Sequence, residues 1–272
     1  MGSLPAGRVV RGRRCLYWSG LIPRNGRHEA AEREKDLAVR ITAAAQTDIG
    51  HVRKSNQDTF GVDEASQLYV VCDGMGGAAG GEVASGVAVH AFLASFDGRN
   101  PDALCVAAAA ANDAVLARAK VEPALRGMGS TLVAAHVDGS LLRLVNVGDS
   151  RAYLVRGGKC RQLTEDHSYV QEQVRAGLMT VAVAEASPLQ SVITRAVGAD
   201  EALEPDCSAV ELRVGDVVLL TSDGLTRHVS DAEIASIAGE GIGLEERCAV
   251  LVELAKVNGG SDNITCVLLQ VS

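Results

Sequence analysis

No apolar run in this chain approaches the ~20 residues that a membrane-spanning helix needs. The opening residues also lack the apolar core of a secretory signal. No membrane span is expected, and a soluble cytoplasmic protein is. Excess positive charge is missing too: the 272 residues carry a formal net charge of −8, so composition gives no general reason to expect nucleic acid as a partner. The seven cysteines (Cys15, Cys72, Cys105, Cys160, Cys207, Cys248 and Cys266) contain no C-x-x-C pair. They are odd in number and scattered, and Cys72 and Cys266 lie within apolar strand patterns. They read as buried reduced thiols of an intracellular protein. There is no internal repeat, and no long linker divides residues 40–272.

What is present is ample apolar material, 47% of residues, enough for a large core in one domain or two. Charge is unevenly spread. Residues 1–40 hold nine Arg/Lys and four Asp/Glu, which leaves −13 for the remainder. Residues 1–39 show no apolar periodicity and only a weak likeness to a transit peptide. They read as a disordered basic extension ahead of a domain spanning 40–272.

That domain is organised around Leu68 to Gly81, LYVVCDGMGGAAGG. The apolar run to Cys72 reads as a buried strand that stops at Asp73-Gly74, and a helical pattern follows. A carboxylate at the end of a buried strand, next to backbone without side chains, offers oxygen ligands to a hard cation. The Gly74 carbonyl is a second candidate ligand. Taken alone, Asp-Gly is equally an ordinary turn.

The arrangement recurs. LLRLVNVGDSRAYLVR (141–156) is strand, turn with Asp149, strand; DVVLLTSDGL (216–225) is a strand ending in Asp223-Gly224; SDNITCVLLQV (261–271) sets Asp262 just before a last strand. Four such carboxylates converging at one edge of a sheet core would repel unless divalent cations were held among them. A metal site is expected there.

Elsewhere, Val39–Ala44 opens the first strand. Glu82–Phe96 and Pro101–Lys120 read as an antiparallel helix pair, the second with proline near its start. Gly127–Val137 pairs with the strand at Leu141 through an Asp138-Gly139 turn. A short amphipathic helix lies in EDHSYVQEQVRAG, and irregular surface structure follows in MTVAVAEASPLQ. Ser230 and Glu233 form a capping box, and a helix from about Leu244 to Val257 stops at Gly259-Gly260. Strand pairs with paired helices imply a layered α+β domain with antiparallel sheets.

Six motifs read together carry a resemblance: R-x-x-N-Q-D at Arg53–Asp58, D-G-M-G-G at Asp73–Gly77, G-S-T at Gly129–Thr131, V-G-D-S-R at Val147–Arg151, T-S-D-G-L at Thr221–Leu225 and D-N-I-T at Asp262–Thr265. In order and spacing, residues 40–272 resemble the metal-dependent protein phosphatases, the type 2C serine/threonine class, and most of all its bacterial branch. The resemblance implies a four-layer α-β-β-α sandwich with two central antiparallel sheets and a dinuclear metal cleft at one edge. A flap, about residues 166–197, lies beside that cleft.

It further implies two Mn²⁺ or Mg²⁺ ions. Asp73 would bridge them, the Gly74 carbonyl would bind one, and Asp223 and Asp262 the other. Asp58 would hold metal-bound water, and Asp149, with Asp223, would serve a weaker third ion. Arg53 would grip the substrate phosphate, since a planar guanidinium suits two phosphate oxygens. A metal-activated water would then attack phosphoserine or phosphothreonine with no protein nucleophile. The implied substrates are phosphorylated proteins, among them a serine/threonine kinase that the enzyme would oppose, and the expected state is a monomer.

Three residues depart from the pattern or stand open. Met75 replaces a histidine that many eukaryotic relatives carry as proton donor, and bacterial relatives often share the methionine. Gln57 replaces a frequent glutamate. His167 is read as a structural residue at the start of the flap helix rather than a phosphate ligand. Two other classes compete. Gly74–Ala79 also satisfies G-x-G-x-x-G/A, the fingerprint of a nucleotide-binding module, but Asp73 would then face a pyrophosphate. A binding protein that kept the fold and lost turnover is the other, and the full set of carboxylates argues against it.

Overall fold

The structure, a computed structural model, describes residues 39–98 and 100–272. The expected N-terminal extension lies outside the described residues. In chain order the elements are β1 (Ile41–Asp48), β2 (Asp58–Asp63), β3 (Leu68–Met75), α1 (Gly77–Ser95), α2 (Ala103–Val121), β4 (Gly129–Ser130), β5 (Leu132–Asp138), β6 (Leu141–Val147), β7 (Arg151–Arg156), β8 (Lys159–Gln162), α3 (Tyr169–Arg175), α4 (Val181–Glu185), β9 (Asp206–Glu211), β10 (Val217–Thr221), α5 (Asp223–Thr226), α6 (Asp231–Ala238), α7 (Leu244–Val257) and β11 (Ile264–Val271).

The strands form two sheets, ordered β1-β11-β10-β7-β8 and β2-β3-β5-β6-β9, with β4 joined to β3. Every named pairing is antiparallel. Period-two alternation sends successive side chains to opposite faces. Along β3, Tyr69 and Val71 join Leu154, Leu220 and Val267 of the other sheet in a core between the sheets. Leu68, Val70 and Cys72 point the other way and pack with Phe92 of α1 and Ala108 and Val115 of α2. On the far side, Leu219 and Leu268 pack with Ile234 of α6 and Leu251 of α7. The result is the expected helix–sheet–sheet–helix sandwich. Buried on both faces, the central strands read as unbroken apolar runs in the sequence.

Most elements fall where periodicity put them, and the Ser230–Glu233 capping box is formed in both directions. Strand β2 was not expected, and three further features differ. Helix α1 starts at Gly77, inside the glycine run and five residues before the apolar periodicity begins. Tertiary packing overrides glycine's poor helix propensity there, with Gly80 lying against Met128. The segment expected to be irregular after the first flap helix contains the short helix α4, capped by Thr180. The third is a correction. Cys105 on α2 and Cys207 on β9 form a disulfide across 102 residues of sequence, whereas all cysteines were expected to be reduced. Helix α2 lies over the sheet whose edge strand is β9, a proximity that cysteine spacing does not encode. Cys72, Cys248 and Cys266 are free and buried as expected.

Two Asp-Gly steps close the site end of the molecule, and both glycines are required by space. A Cβ on Gly74 would lie 1.9 Å from the Gly81 carbonyl oxygen, and one on Gly224 would lie 2.0 Å from that of Asn263. Gly86, within α1, has open space around it. Gly224→Ala should therefore lower the melting temperature by several degrees, since forced overpacking costs roughly 1–3 kcal/mol or more. Gly86→Ala should hold or raise it, because alanine is the better helix former. Thermal unfolding of both variants checks this; equal effects would contradict the packing described.

Candidate active site

The strand ends deliver acidic residues to one edge of the sandwich. Register sets the first pair: Asp58 on β2 lies directly opposite Asp73 on β3. Like charges in facing positions destabilise a sheet. Asp149 sits in the turn where the chain leaves β6 in one sheet for β7 in the other. Asp223 opens α5 straight after β10, and Asp262 precedes β11. A cavity of about 470 Å³ is lined by Arg53, Asp73, Gly74, Asp149, Asp223 and Asp262. The structure thus brings six of the seven sequence-predicted residues onto one wall. Asp58 lies behind it, buried at 7% exposure.

The remaining motif residues hold the acids in place. Thr131 accepts a hydrogen bond from the Asp73 amide (2.9 Å), and the Thr131 amide donates to the Asp73 carbonyl (2.8 Å). Ser130 Oγ donates to that same carbonyl (2.9 Å), and the Thr131 and Ser150 hydroxyls are 2.7 Å apart. The G-S-T and V-G-D-S-R motifs are therefore one clamp on the Asp73 backbone. Ser222 Oγ donates to Asp58 Oδ2 (2.7 Å) and accepts from the Thr265 amide (3.1 Å). Asn263 Oδ1 accepts from the Gln57 amide (2.8 Å), while its Nδ2 donates to the carbonyls of Ile49 (2.9 Å) and Ser55 (3.1 Å). That side chain ties down the loop carrying Arg53.

Electrostatics show what the packing costs. Burial, with repulsion from Asp223 and Asp262, pushes Asp58 up to about 7, against the opposing hydrogen bonds of Ser222 and Thr265. Burial and the neighbouring Asp58 and Asp223 hold Asp73 well above the usual carboxylate range. Asp149 is pushed up to about 7 by burial, then by Asp223 and Asp166. Two arginines answer part of this charge. Arg53 Nη2 donates to Asp262 Oδ2 at 2.7 Å, and Arg227 pairs with Asp223.

Whether this set suits cations can be judged from its atoms. Among the described residues, no three His, Cys, Asp or Glu side chains already close on one point as a metal cage. However, Asp58 Oδ1 and Asp223 Oδ1 are buried without any hydrogen-bond partner. Orphaned anionic oxygens of this kind are costly, and hard divalent cations take oxygen ligands. The donor set fits Mn²⁺ or Mg²⁺, with the arginine pairs standing where charge compensation is needed.

Other sequence readings resolve as follows. His167 is buried and turned from the cavity: its Nδ1 accepts from the Gly148 amide (3.1 Å), and its Nε2 faces Asp206 (3.2 Å). That is the structural role expected. Met75 lines the cavity and offers no proton. Gln57 Nε2 donates to the Gly77 carbonyl (2.6 Å), which fastens the glycine segment. Sequence reasoning missed Arg227, although an aspartate and an arginine four apart on a helix are a recognisable pair. It also missed the fork from Arg151 to Asp166 (3.0 and 2.7 Å), which ties the last motif residue of V-G-D-S-R to the base of the flap.

A four-layer sandwich with carboxylates and an arginine around one edge cavity defines a class of site suited to divalent cations and an anionic group. The comparisons make it specific. The sequence model of the family described as Protein phosphatase 2C matches residues 42–264, and the chain belongs to that family. The serine/threonine protein phosphatase PstP of Mycobacterium tuberculosis is 42% identical over 233 residues, covering 84% of this chain and 44% of PstP. The chain thus spans less than half the length of that relative. The serine/threonine phosphatase stp of Listeria innocua is 38% identical over 241 residues, 84% of this chain and 95% of that protein. The crystal structure of the catalytic domain of PstP in complex with two manganese ions superposes with a TM-score of 0.76 at 39% identity, over 86% of this chain and 98% of that one.

The raised carboxylates give a prediction. A folded-state value of about 7 for Asp58, above the ordinary 3.8, means that native stability falls as pH climbs through that interval. Asp58→Asn escapes that loss and can still accept from Ser222. In excess chelator it should melt above the wild type, by a margin that grows by several degrees from about pH 5 to about pH 8. A margin that stays flat with pH would contradict the burial of Asp58 as a repelled carboxylate.

Proposed function

We propose that this chain hydrolyses phosphoserine and phosphothreonine in proteins, using two divalent cations, Mn²⁺ or Mg²⁺. The observation that carries the reading is the gathering of Asp73, Asp149, Asp223 and Asp262 around one cavity edged by Arg53, with Asp58 behind them and two buried carboxylate oxygens left without partners. The assigned ligands are Asp73, the Gly74 carbonyl, Asp223 and Asp262. Asp58 acts behind them, and Asp149 with Asp223 would serve a weaker third ion. Bound there, the cations would supply Lewis-acid charge to the phosphoryl oxygens and lower the pKa of water.

The chain's own residues do the rest. Arg53 has a side chain 49% exposed and holds Asp262 with Nη2. A guanidinium so placed can turn to two phosphate oxygens in a bidentate grip and orient the phosphorus toward the acidic wall. Thr131, Ser130 and Ser222 keep the carboxylates from moving apart. Met75 cannot protonate the departing serine or threonine oxygen, so that proton comes from elsewhere in the cavity. The cavity lining named above comes from one chain, and a monomer is the state proposed. Its proposed substrates, the products of ATP-using serine/threonine kinases, support a cytoplasmic activity opposite such a kinase.

Turnover of p-nitrophenyl phosphate and of a phosphothreonine peptide should vanish in excess chelator and return with Mn²⁺. Asp73→Asn should cost orders of magnitude in kcat. Arg53→Ala should raise KM by about 10- to 100-fold, the scale of a lost charged hydrogen bond. Hydrolysis that persists in chelator would overturn the cation reading. Unchanged kinetics in Arg53→Ala would overturn the phosphate role alone.

A further inference from the structure

Arg227 lies one residue beyond α5 and four after Asp223, so its side chain folds back over that carboxylate. Its Nη2 donates to Asp223 Oδ2 and also to Ser191 Oγ, at 3.0 Å. Ser191 belongs to the flap. The base of the flap is held by backbone pairs: Ser168 with Ile193, the Tyr169 amide with the Val192 carbonyl, and the Thr194 amide with the His167 carbonyl. Its outer part is loosely held, with Leu178 at 76% and Val181 at 60% exposure. Among the described residues, the bond from Arg227 to Ser191 is the only side-chain hydrogen bond that ties residues 176–191 to the rest of the domain.

Position adds to this. Arg227 lines both the acidic cavity and a second cavity of about 590 Å³ under α3 and α4, and Asp149 and Asp223 are shared between the two. Within this wall one oxygen of Asp223 is taken by a guanidinium and the other is buried and unpartnered. A divalent cation and this guanidinium need the same anionic charge, and each weakens the other's hold.

We propose that Arg227 competes with divalent cations for Asp223, and that this competition couples cation binding to release of the outer flap through Ser191. The arginine lowers cation affinity. By reciprocity, a bound cation weakens the tie from Arg227 to Asp223 and loosens the anchor on Ser191. The inference rests on the cation site proposed above and adds to it Arg227, which follows α5.

The test uses the full chain stripped with chelator and titrated calorimetrically with Mn²⁺. Arg227→Met should bind Mn²⁺ at least about fivefold more tightly than the wild type, the low end of ordinary coupling. Arg227→Lys, which retains the charge but has a shorter reach and no planar guanidinium, should fall between them and serves if the methionine variant does not fold. Trypsin cleavage after Arg175, in the exposed flap, is a second readout independent of activity. It should speed up with Mn²⁺ in the wild type, and be fast with or without Mn²⁺ in Arg227→Met and Ser191→Ala. Mn²⁺ affinity equal to wild type in the folded Arg227 variants would overturn the competition. Cleavage insensitive to Mn²⁺ in the wild type would overturn the coupling. If the wild type bound no Mn²⁺, the cation site itself would fall, a distinct result.

Discussion

Asp58 and Asp73 occupy facing positions on neighbouring strands, and the packing around them leaves neither free to turn away. At the ~5 Å typical of such cross-strand pairs, two unit negative charges repel by on the order of 3 kcal/mol at an effective dielectric of ~20. Asp149, Asp223 and Asp262 add to the same field. The protein relieves it in part by resisting ionisation, since Asp58 and Asp149 are pushed up to about 7. Arg53 and Arg227 relieve another part. What is left, centred on the unpartnered oxygens of Asp58 and Asp223, is an attraction for compact positive charge.

The rest of the fold serves to prevent a cheaper escape, in which the acids drift apart. Each arrives on a different strand or strand connection, and the strands are locked by a core between the sheets and by helix layers outside them. A shell of neutral donors and acceptors fixes the carboxylates without discharging them. Ser222 bonds Asp58, Thr131 and Ser130 hold the Asp73 backbone, and Asn263 secures the Arg53 loop. Preorganisation of this kind lets a site meet charge without reorganising at the moment of reaction. The two Asp-Gly steps contribute by close approach, each glycine lying against a backbone carbonyl where no side chain fits. Most of the glycine run is packed as well, with Gly76 and Gly80 against Met128 and Gly81 against Gln57, while Gly77 faces open space.

Much of this was legible in the residues alone, for a physical reason. Strands buried on both faces write themselves as apolar runs, so β3, β10 and β11 and the acids at their ends could be placed without coordinates. Hairpins and caps were legible where one residue type is demanded locally, as at Asp138-Gly139 and Ser230–Glu233. What sequence could not show was depth and proximity. Asp58 lies in a stretch that reads as polar, so neither strand β2 nor the pairing of Asp58 with Asp73 showed, and one acid is buried behind the wall while the other lines it. The disulfide between Cys105 and Cys207 depends on α2 lying over a sheet edge formed by a strand some hundred residues later. Helix α1 begins within glycines because Met128 and Gln57 pack there, a tertiary cause with no local signal. Arg227 was missed, because neither the short helix α5 that brings it back over Asp223 nor its tie to Ser191 of the flap has a local apolar signal.

Two cations held by the carboxylate wall are the core of the proposed function. It is tested most directly by diffraction from crystals of this chain grown with Mn²⁺, measured on either side of the manganese absorption edge. The account predicts two anomalous peaks in the first cavity, with Asp73 between them and Asp223 and Asp262 beside one. Peaks confined to other surfaces, or none in a cavity whose acids remain paired with Arg53 and Arg227, would contradict it.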